Sequence, residues 1–177
     1  MSKNVGMFVD VANLYYGARD QGVELDYTAL LQRATAGRDL IRAYAYSGLD
    51  PDNENQIKFI DFLSANGYRV VTKNVSSSAE GKLKANLDIE LVVDLMRLAP
   101  RMDIAVIASG DGDFAVAIKA LQDRGVRCEV MGFKANTSSD LFAAADSFID
   151  ISKIEGITRV SRATRERNKA RAPQKQT

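Results

Sequence analysis

Histidine is missing from all 177 residues, and that absence excludes more chemistry than any residue present establishes. Without it there is no Ser-His-Asp or Cys-His nucleophile pair, no histidine general base and no His-rich zinc site. The single cysteine, Cys128, cannot form an internal disulfide, and its place in the strand-like run Val126 to Met131 predicts a buried structural thiol. No apolar stretch approaches the ~20 residues of a membrane-spanning helix, and Met1-Ser-Lys-Asn lacks the apolar region of a signal peptide. The expectation is a soluble cytoplasmic protein whose chemistry rests on carboxylates, amides, hydroxyls and lysines.

What is present suits one domain with an ample core, since 46% of the residues are hydrophobic. The net charge of +1 is unevenly placed. Residues 157 to 177 carry Arg159, Arg162, Arg165, Arg167, Lys169, Arg171 and Lys175 against only Glu166, which leaves about +6 on the tail and about −5 on the rest. A folded domain over 1–156 followed by a basic tail, an exposed helix or disordered, is expected. Such a tail suits a polyanion partner, although a solvated end is the commoner meaning of this composition.

The chain is organised around Ile104-Ala-Val-Ile-Ala-Ser-Gly-Asp-Gly-Asp-Phe114, an apolar run that stops on two acids among glycines. Such a run reads as a strand buried on both faces. Gly110 and Gly112 permit a sharp turn, and Asp113 can cap a helix reaching about Arg124, with Gly125 past its end. Val5-Gly-Met-Phe-Val9 is a second apolar run, and it delivers Asp10 into Asp10-Val-Ala-Asn13. Further strands are expected at 40–46, 68–72 and 126–131, with a short extended piece at 147–151. Helical patterns alternate with them, after caps at Asp26 and Asn53 and over Asn86 to Leu98. The predicted fold is α/β: a mostly parallel central sheet of about five strands with helices on both faces. In such sheets ligands sit beyond the carboxyl ends of the strands, where Asp10, Asp111 and Asp113 fall.

A third acid joins them from the helix Asn86 to Leu98. Advancing ~100° per residue from Asp88 places Val92, Leu95, Leu91 and Met96 on its side, and Glu90, Asp94 and Arg97 opposite. Asp88 is then either the cap of a helix that starts later, or a carboxylate on an apolar face, which is costly unless paired or metal-bound. The second reading is preferred beside Asp10 and the Asp111 turn. Carboxylates converging without histidine or thiolate describe a hard-cation site for Mg2+ or Mn2+. Asn13, three residues after Asp10, either caps the first helix or orients a water or the Asp10 carboxylate.

Four pieces now resemble, in order, a known family: Phe8-Val-Asp-Val-Ala-Asn-Leu14, Leu87-Asp-Ile-Glu-Leu-Val-Val-Asp94, Ser109-Gly-Asp-Gly-Asp-Phe114 and Ser139-Asp-Leu with Ala145-Asp-Ser-Phe-Ile149. They are similar to the NYN domains of the PIN-like nuclease superfamily, in the LabA-like branch, over about residues 4 to 152. The resemblance implies a Rossmann-like PIN fold, an acidic metal centre and ribonuclease activity. It implies Asp10, Asp88, Asp111 and Asp113 as metal ligands and catalytic acids, with Asn13 beside them. Asp94 is also acidic in the family pattern, but the helical wheel turns it outward and makes it secondary. Where many members have Lys-Gly shortly before the helix acid, this chain has Ala85-Asn86, with Lys84 nearby. Lys82, Lys84 and Ser109 are the expected substrate contacts, and Lys73, at the other flank of the polar loop Asn74 to Gly81, is expected to be a solvated surface residue.

Gly110-Asp-Gly-Asp-Phe-Ala115 also satisfies a dinucleotide-binding G-x-G-x-x-A pattern, but its two aspartates would face a pyrophosphate without a cation. An aspartyl-phosphate phosphatase would want a second acid two residues after Asp10, where Ala12 stands. Both rank below hydrolysis of single-stranded RNA at a divalent metal, in which the cation polarises the phosphate and acidifies an attacking water. The alternative from another class is a regulatory protein that keeps the fold and binds RNA or protein with little or no catalysis; under either reading the sequence leaves the oligomeric state open, a homodimer included.

Overall fold

The structure is a computed structural model that describes residues 1–77 and 83–171, with backbone alone for residues 76, 77, 83 and 84. Its elements follow in order as β1 (Asn4–Asp10), α1 (Val11–Asp20), β2 (Val23–Leu25), α2 (Tyr27–Thr35), β3 (Asp39–Leu49), α3 (Glu54–Ala65) and β4 (Arg69–Asn74). After the short β5 (Ser76–Ser77) and β6 (Leu83–Lys84) come α4 (Asp88–Leu98), β7 (Ile104–Ala108), α5 (Ala115–Gln122) and β8 (Arg127–Gly132). The chain continues as α6 (Ser139–Ala144), β9 (Ser147–Asp150), β10 (Thr158–Val160) and α7 (Arg162–Arg171).

Six strands form the central sheet in the order β4-β3-β1-β7-β8-β9, and every neighbouring pair is parallel. The extended piece expected at 147–151 supplies the sixth strand, β9. From β1 the chain winds outward to β3 and β4, then crosses back to β7 and winds the other way. The β1–β7 pair is therefore the switch point, and it brings Val9 level with Ala108. Both strands run out at the same edge of the sheet, so Asp10 and Ser109 leave it side by side.

The pleat divides the core in two, because successive residues of a strand face opposite sides. Val5, Met7 and Val9 point to one side, where they pack with Leu14 of α1, Leu30 of α2 and Leu63 of α3. Phe8, Tyr44, Tyr46 and Ile107 point to the other, against Leu91 and Leu95 of α4 and Ile118 and Leu121 of α5. Cys128 is buried in this second layer, as its strand-like setting predicts. The caps at Asp26 and Asn53 form as expected, accepting backbone N–H from Ala29 and Gln56.

One departure concerns the C-terminal end. The tail boundary expected at Ile157 falls inside folded structure: Ile157 is buried, and Thr158–Val160 pairs antiparallel with β2. A three-residue strand without alternation carries no sequence signal, so its partner decides it. Beyond it, α7 is an exposed basic helix, as the composition predicts, while residues 172–177, including Lys175, lie outside the described residues. Among the described residues no helix is long and apolar enough to cross a membrane.

Candidate metal centre

Asp10 is at once the last residue of β1 and the N-cap of α1, its Oδ1 accepting the Asn13 N–H at 3.2 Å. Its other oxygen, Oδ2, accepts the Ser109 hydroxyl at 2.9 Å. The same hydroxyl accepts the Asp111 N–H at 3.1 Å, so one buried side chain fixes Asp10 and the turn after β7. Asn13 holds that turn from the first turn of α1, its Oδ1 accepting the Gly110 N–H at 2.8 Å. Gly110 cannot carry a side chain: a Cβ there would stand 2.3 Å from the Asn136 carbonyl oxygen. Its own carbonyl accepts the Ser138 N–H at 2.9 Å, which presses the loop before α6 against the site.

Asp111 caps the short 3-10 helix Gly112–Phe114 by accepting the Asp113 N–H at 3.0 Å. The cap expected at Asp113 is therefore made two residues earlier, at Asp111, because Gly110 and Gly112 complete the turn before Asp113. Asp88 is the first residue of α4 rather than its cap, and its N–H donates to Asn86 Oδ1 at 2.9 Å. Three chain segments thus deliver one carboxylate each. Single oxygens of Asp10, Asp88 and Asp111, all partly buried, lie within 4.8 Å of one another.

Burial raises the Asp10 carboxyl above its ordinary pKa, and the nearby Asp88 and Asp111 charges add to this against the lowering bonds from Asn13 and Ser109. Asp88 is raised by burial and then by the charges of Asp111, Asp113 and Glu90, with the Asn86 bond opposing them. A cluster of acids that repel one another and crave a counter-charge suits a hard divalent cation. Asp10, Asp88 and Asp111 would hold such an ion through one carboxylate oxygen each.

Other residues expected in or beside the site stand differently. Asp113 is exposed and lies outside the three-carboxylate group, although its charge reaches Asp88. Ser109 is fully buried, so it positions Asp10 and cannot be a substrate contact. Asp94, expected to point outward, is only 8% exposed. It accepts the Tyr46 hydroxyl at 2.9 Å and pairs with Arg97. The buried stripe of α4 runs through Leu91, Leu95 and Asp94, leaving Ile89 and Val93 exposed, because a polar partner on β3 makes room for an acid in the core. Lys84 lies on β6 and not on a backward extension of α4; its side chain, and all of Lys82, lie outside the described residues. Lys73 bonds Glu90 at 2.9 Å and the Asn86 carbonyl at 3.2 Å, so it is tied to the start of α4 rather than free for phosphate.

Sequence reasoning missed Asn86 and the Asn136–Ser138 loop. Asn86 stands two residues before Asp88, a local pattern from which an amide-to-backbone turn is readable. The loop carries no such signal, since it reaches Gly110 only through the fold.

The family model of the NYN domain matches residues 4–154. A 159-residue stretch is 33% identical to the "Low amplitude and bright protein LabA" of Synechococcus elongatus, covering 85% of this chain and 84% of that protein. A crystal structure of a Vibrio parahaemolyticus protein of unknown function superposes with a TM-score of 0.80 at 28% identity, covering 89% of this chain and 97% of that one. The match spans β1 through β9 and therefore every segment that contributes an acid, and the six-stranded α/β sheet is consistent with a PIN-like fold. On these grounds the chain belongs to the NYN domain family of the PIN-like nuclease superfamily, in its LabA-like branch.

Proposed function

We propose that this protein is a divalent-metal-dependent ribonuclease that hydrolyses phosphodiester bonds of single-stranded RNA in the cytoplasm. The observation that carries the reading is the gathering of Asp10, Asp88 and Asp111 oxygens within 4.8 Å at the switch point of the sheet, in a chain without histidine. Family membership supports the same reading.

In this scheme Asp10, Asp88 and Asp111 hold Mg2+ or Mn2+. Such an ion supplies positive charge for the scissile phosphate and acidity for the attacking water. Ser109 keeps the Asp10 carboxylate aimed inward, and Asn13 keeps the Asp111 turn against α1. Asp113, exposed beside Asp88, is the acid left to accept a proton from water at the mouth of the site. Lys82 and Lys84 are assigned to the RNA phosphates.

End-labelled single-stranded RNA incubated with wild type and Asp111→Asn tests the proposal. Cleavage by wild type with Mg2+ or Mn2+, none with EDTA and a loss of at least 100-fold in the variant is the expected result. RNA bound but left intact by wild type with either metal would instead favour the non-catalytic RNA-binding alternative.

A further inference from the structure

The buried face of α1 is complete without its two tyrosines. Val11, Leu14, Gly17 and Ala18 pack on the sheet, while Tyr15 and Tyr16 are 59% and 51% exposed. Their rings meet edge to face with centroids 5.6 Å apart, and the Arg19 guanidinium lies over the Tyr16 ring, 4.8 Å from its centre. Single exposed apolar side chains are ordinary on a protein surface, but a contiguous aromatic pair with a stacked cation is not explained by packing. Its position is the second observation. Tyr16 stands one turn beyond Asn13 on the same side of α1, six residues and about 9 Å along the axis from Asp10.

The loop that presses on Gly110 carries a matching feature. Asn136 bonds Asp20 of α1 at 3.0 Å, and beyond it Lys134 lies over the half-exposed Phe142 of α6, 5.9 Å from the ring centre. One cation–aromatic pair therefore stands on α1, and a second joins the loop that touches the carboxylate site to α6. Surfaces that hold single-stranded nucleic acid combine these parts: aromatic faces for the bases and nearby cations for the backbone.

We propose that Tyr15 and Tyr16, with Arg19, form a stacking platform for unpaired bases of the RNA strand entering the carboxylate site, continued across the loop by Phe142 and Lys134. The proposal rests on the RNA reading of that site. It adds where the strand lies and why it must be single-stranded, since bases inside a duplex present no free face to a tyrosine. At about 3.4 Å per nucleotide, the 9 Å from Asp10 to Tyr16 corresponds to about two or three nucleotides between the cleaved bond and the first stacked base.

The test is binding of a fluorescent single-stranded RNA of about 12 nucleotides, a usual site length, measured by anisotropy in EDTA so that no cleavage intervenes. Tyr15→Ala with Tyr16→Ala is expected to weaken binding roughly 5- to 150-fold per lost stacked base. Tyr16→Phe should keep wild-type affinity, because it keeps the ring. The affinity for a duplex of the same sequence should not change. Wild-type binding with an unaltered double variant overturns the platform and leaves the nuclease reading standing, and so does loss of affinity in Tyr16→Phe. If that unaltered affinity comes with a changed mass in sedimentation, the tyrosines belong to an interface between copies. Wild type that binds no RNA with EDTA or with Mn2+ overturns the platform and the RNA reading together.

Discussion

Ser109 donates its hydroxyl to Asp10 across the β1–β7 pair at 2.9 Å while sitting at zero exposure, so a fully buried serine sets the aim of a carboxylate at the sheet edge. Ser109→Ala removes that bond and the acceptor for the Asp111 N–H. It is expected to cost about 1–3 kcal/mol of stability, since a buried donor loses its partner. Metal affinity should fall about 10- to 100-fold, the usual effect of removing a group that orients a ligand. Titration of Mn2+ by calorimetry checks this, and unchanged affinity would show that Asp10 needs no such orientation.

Asp111 is both a cluster member and the cap of the following 3-10 turn, and Asp111→Asn separates these roles because an amide oxygen can still accept the Asp113 N–H. In EDTA the variant should melt higher than wild type, since one of three mutually repelling charges is gone. Metal at 100 times its dissociation constant stabilises wild type by about 2.7 kcal/mol, or roughly 5–11 °C for a domain of this size. The variant should gain much less. A variant that melts lower in EDTA and still responds fully to metal would reduce Asp111 to its capping role.

The raised Asp10 and Asp88 carboxyls give metal binding a pH dependence. As pH falls from neutrality through their folded pKa values toward the ordinary 3.8, protons displace the cation and the metal-induced rise in Tm should vanish. In EDTA the same two acids act oppositely: their folded pKa lies above the unfolded one, so their destabilisation is felt at neutral pH and relieved as pH falls toward 3.8. Glu129 runs the other way. Burial raises it, but hydrogen bonds from Arg38 and Arg127 win and hold it below 4.5, so its stabilisation is present above 4.5 and lost as pH falls through its folded pKa. Melts from pH 8 to 4 with EDTA and with Mn2+ should therefore converge on the acidic side. A metal effect that persists undiminished at the acid end would contradict the carboxylate site.

Asp94 is a core acid serving Tyr46, and this differs measurably from a ligand's role. Tyr46→Phe should destabilise by about 1–3 kcal/mol, because a buried carboxylate loses a hydrogen bond. The metal-induced rise in Tm should stay as in wild type. Loss of that rise in Tyr46→Phe would place Asp94 within the metal site after all.

The basic helix α7 should add affinity for RNA without sequence choice, since scattered arginines and lysines neutralise phosphates and read no base edges. Because Thr158–Val160 is paired with β2, the informative truncation begins at Arg162 and spares that strand. Removing residues 162 to 177 should weaken binding and lower the salt slope by about 0.7 for each phosphate that is no longer neutralised. An unchanged slope would assign α7 to another partner.

The plan of this protein is written in its chain alone. Apolar runs that stop on Asp10 and Ser109 say parallel strands with polar ends, and the caps Asp26 and Asn53 say where helices begin. Missing histidine limits the chemistry to oxygen ligands. These signals are local, since a strand buried on both faces or a capped helix is spelled in consecutive residues. Which way those elements turn is set only when they pack together. The rotation of α4 about its axis depends on a hydroxyl 48 residues away at Tyr46, which draws Asp94 into the core and moves Asp88 to the edge of the buried face. The reach of Ser109 to Asp10 depends on β1 and β7 being neighbours across 99 residues of chain. Asp113 misses the three-carboxylate group because the turn closes on Asp111 first, and β10 exists because β2 offers it an edge. A helix periodicity fixes which residues share a face, but the face that is buried is chosen by whatever the fold sets against it.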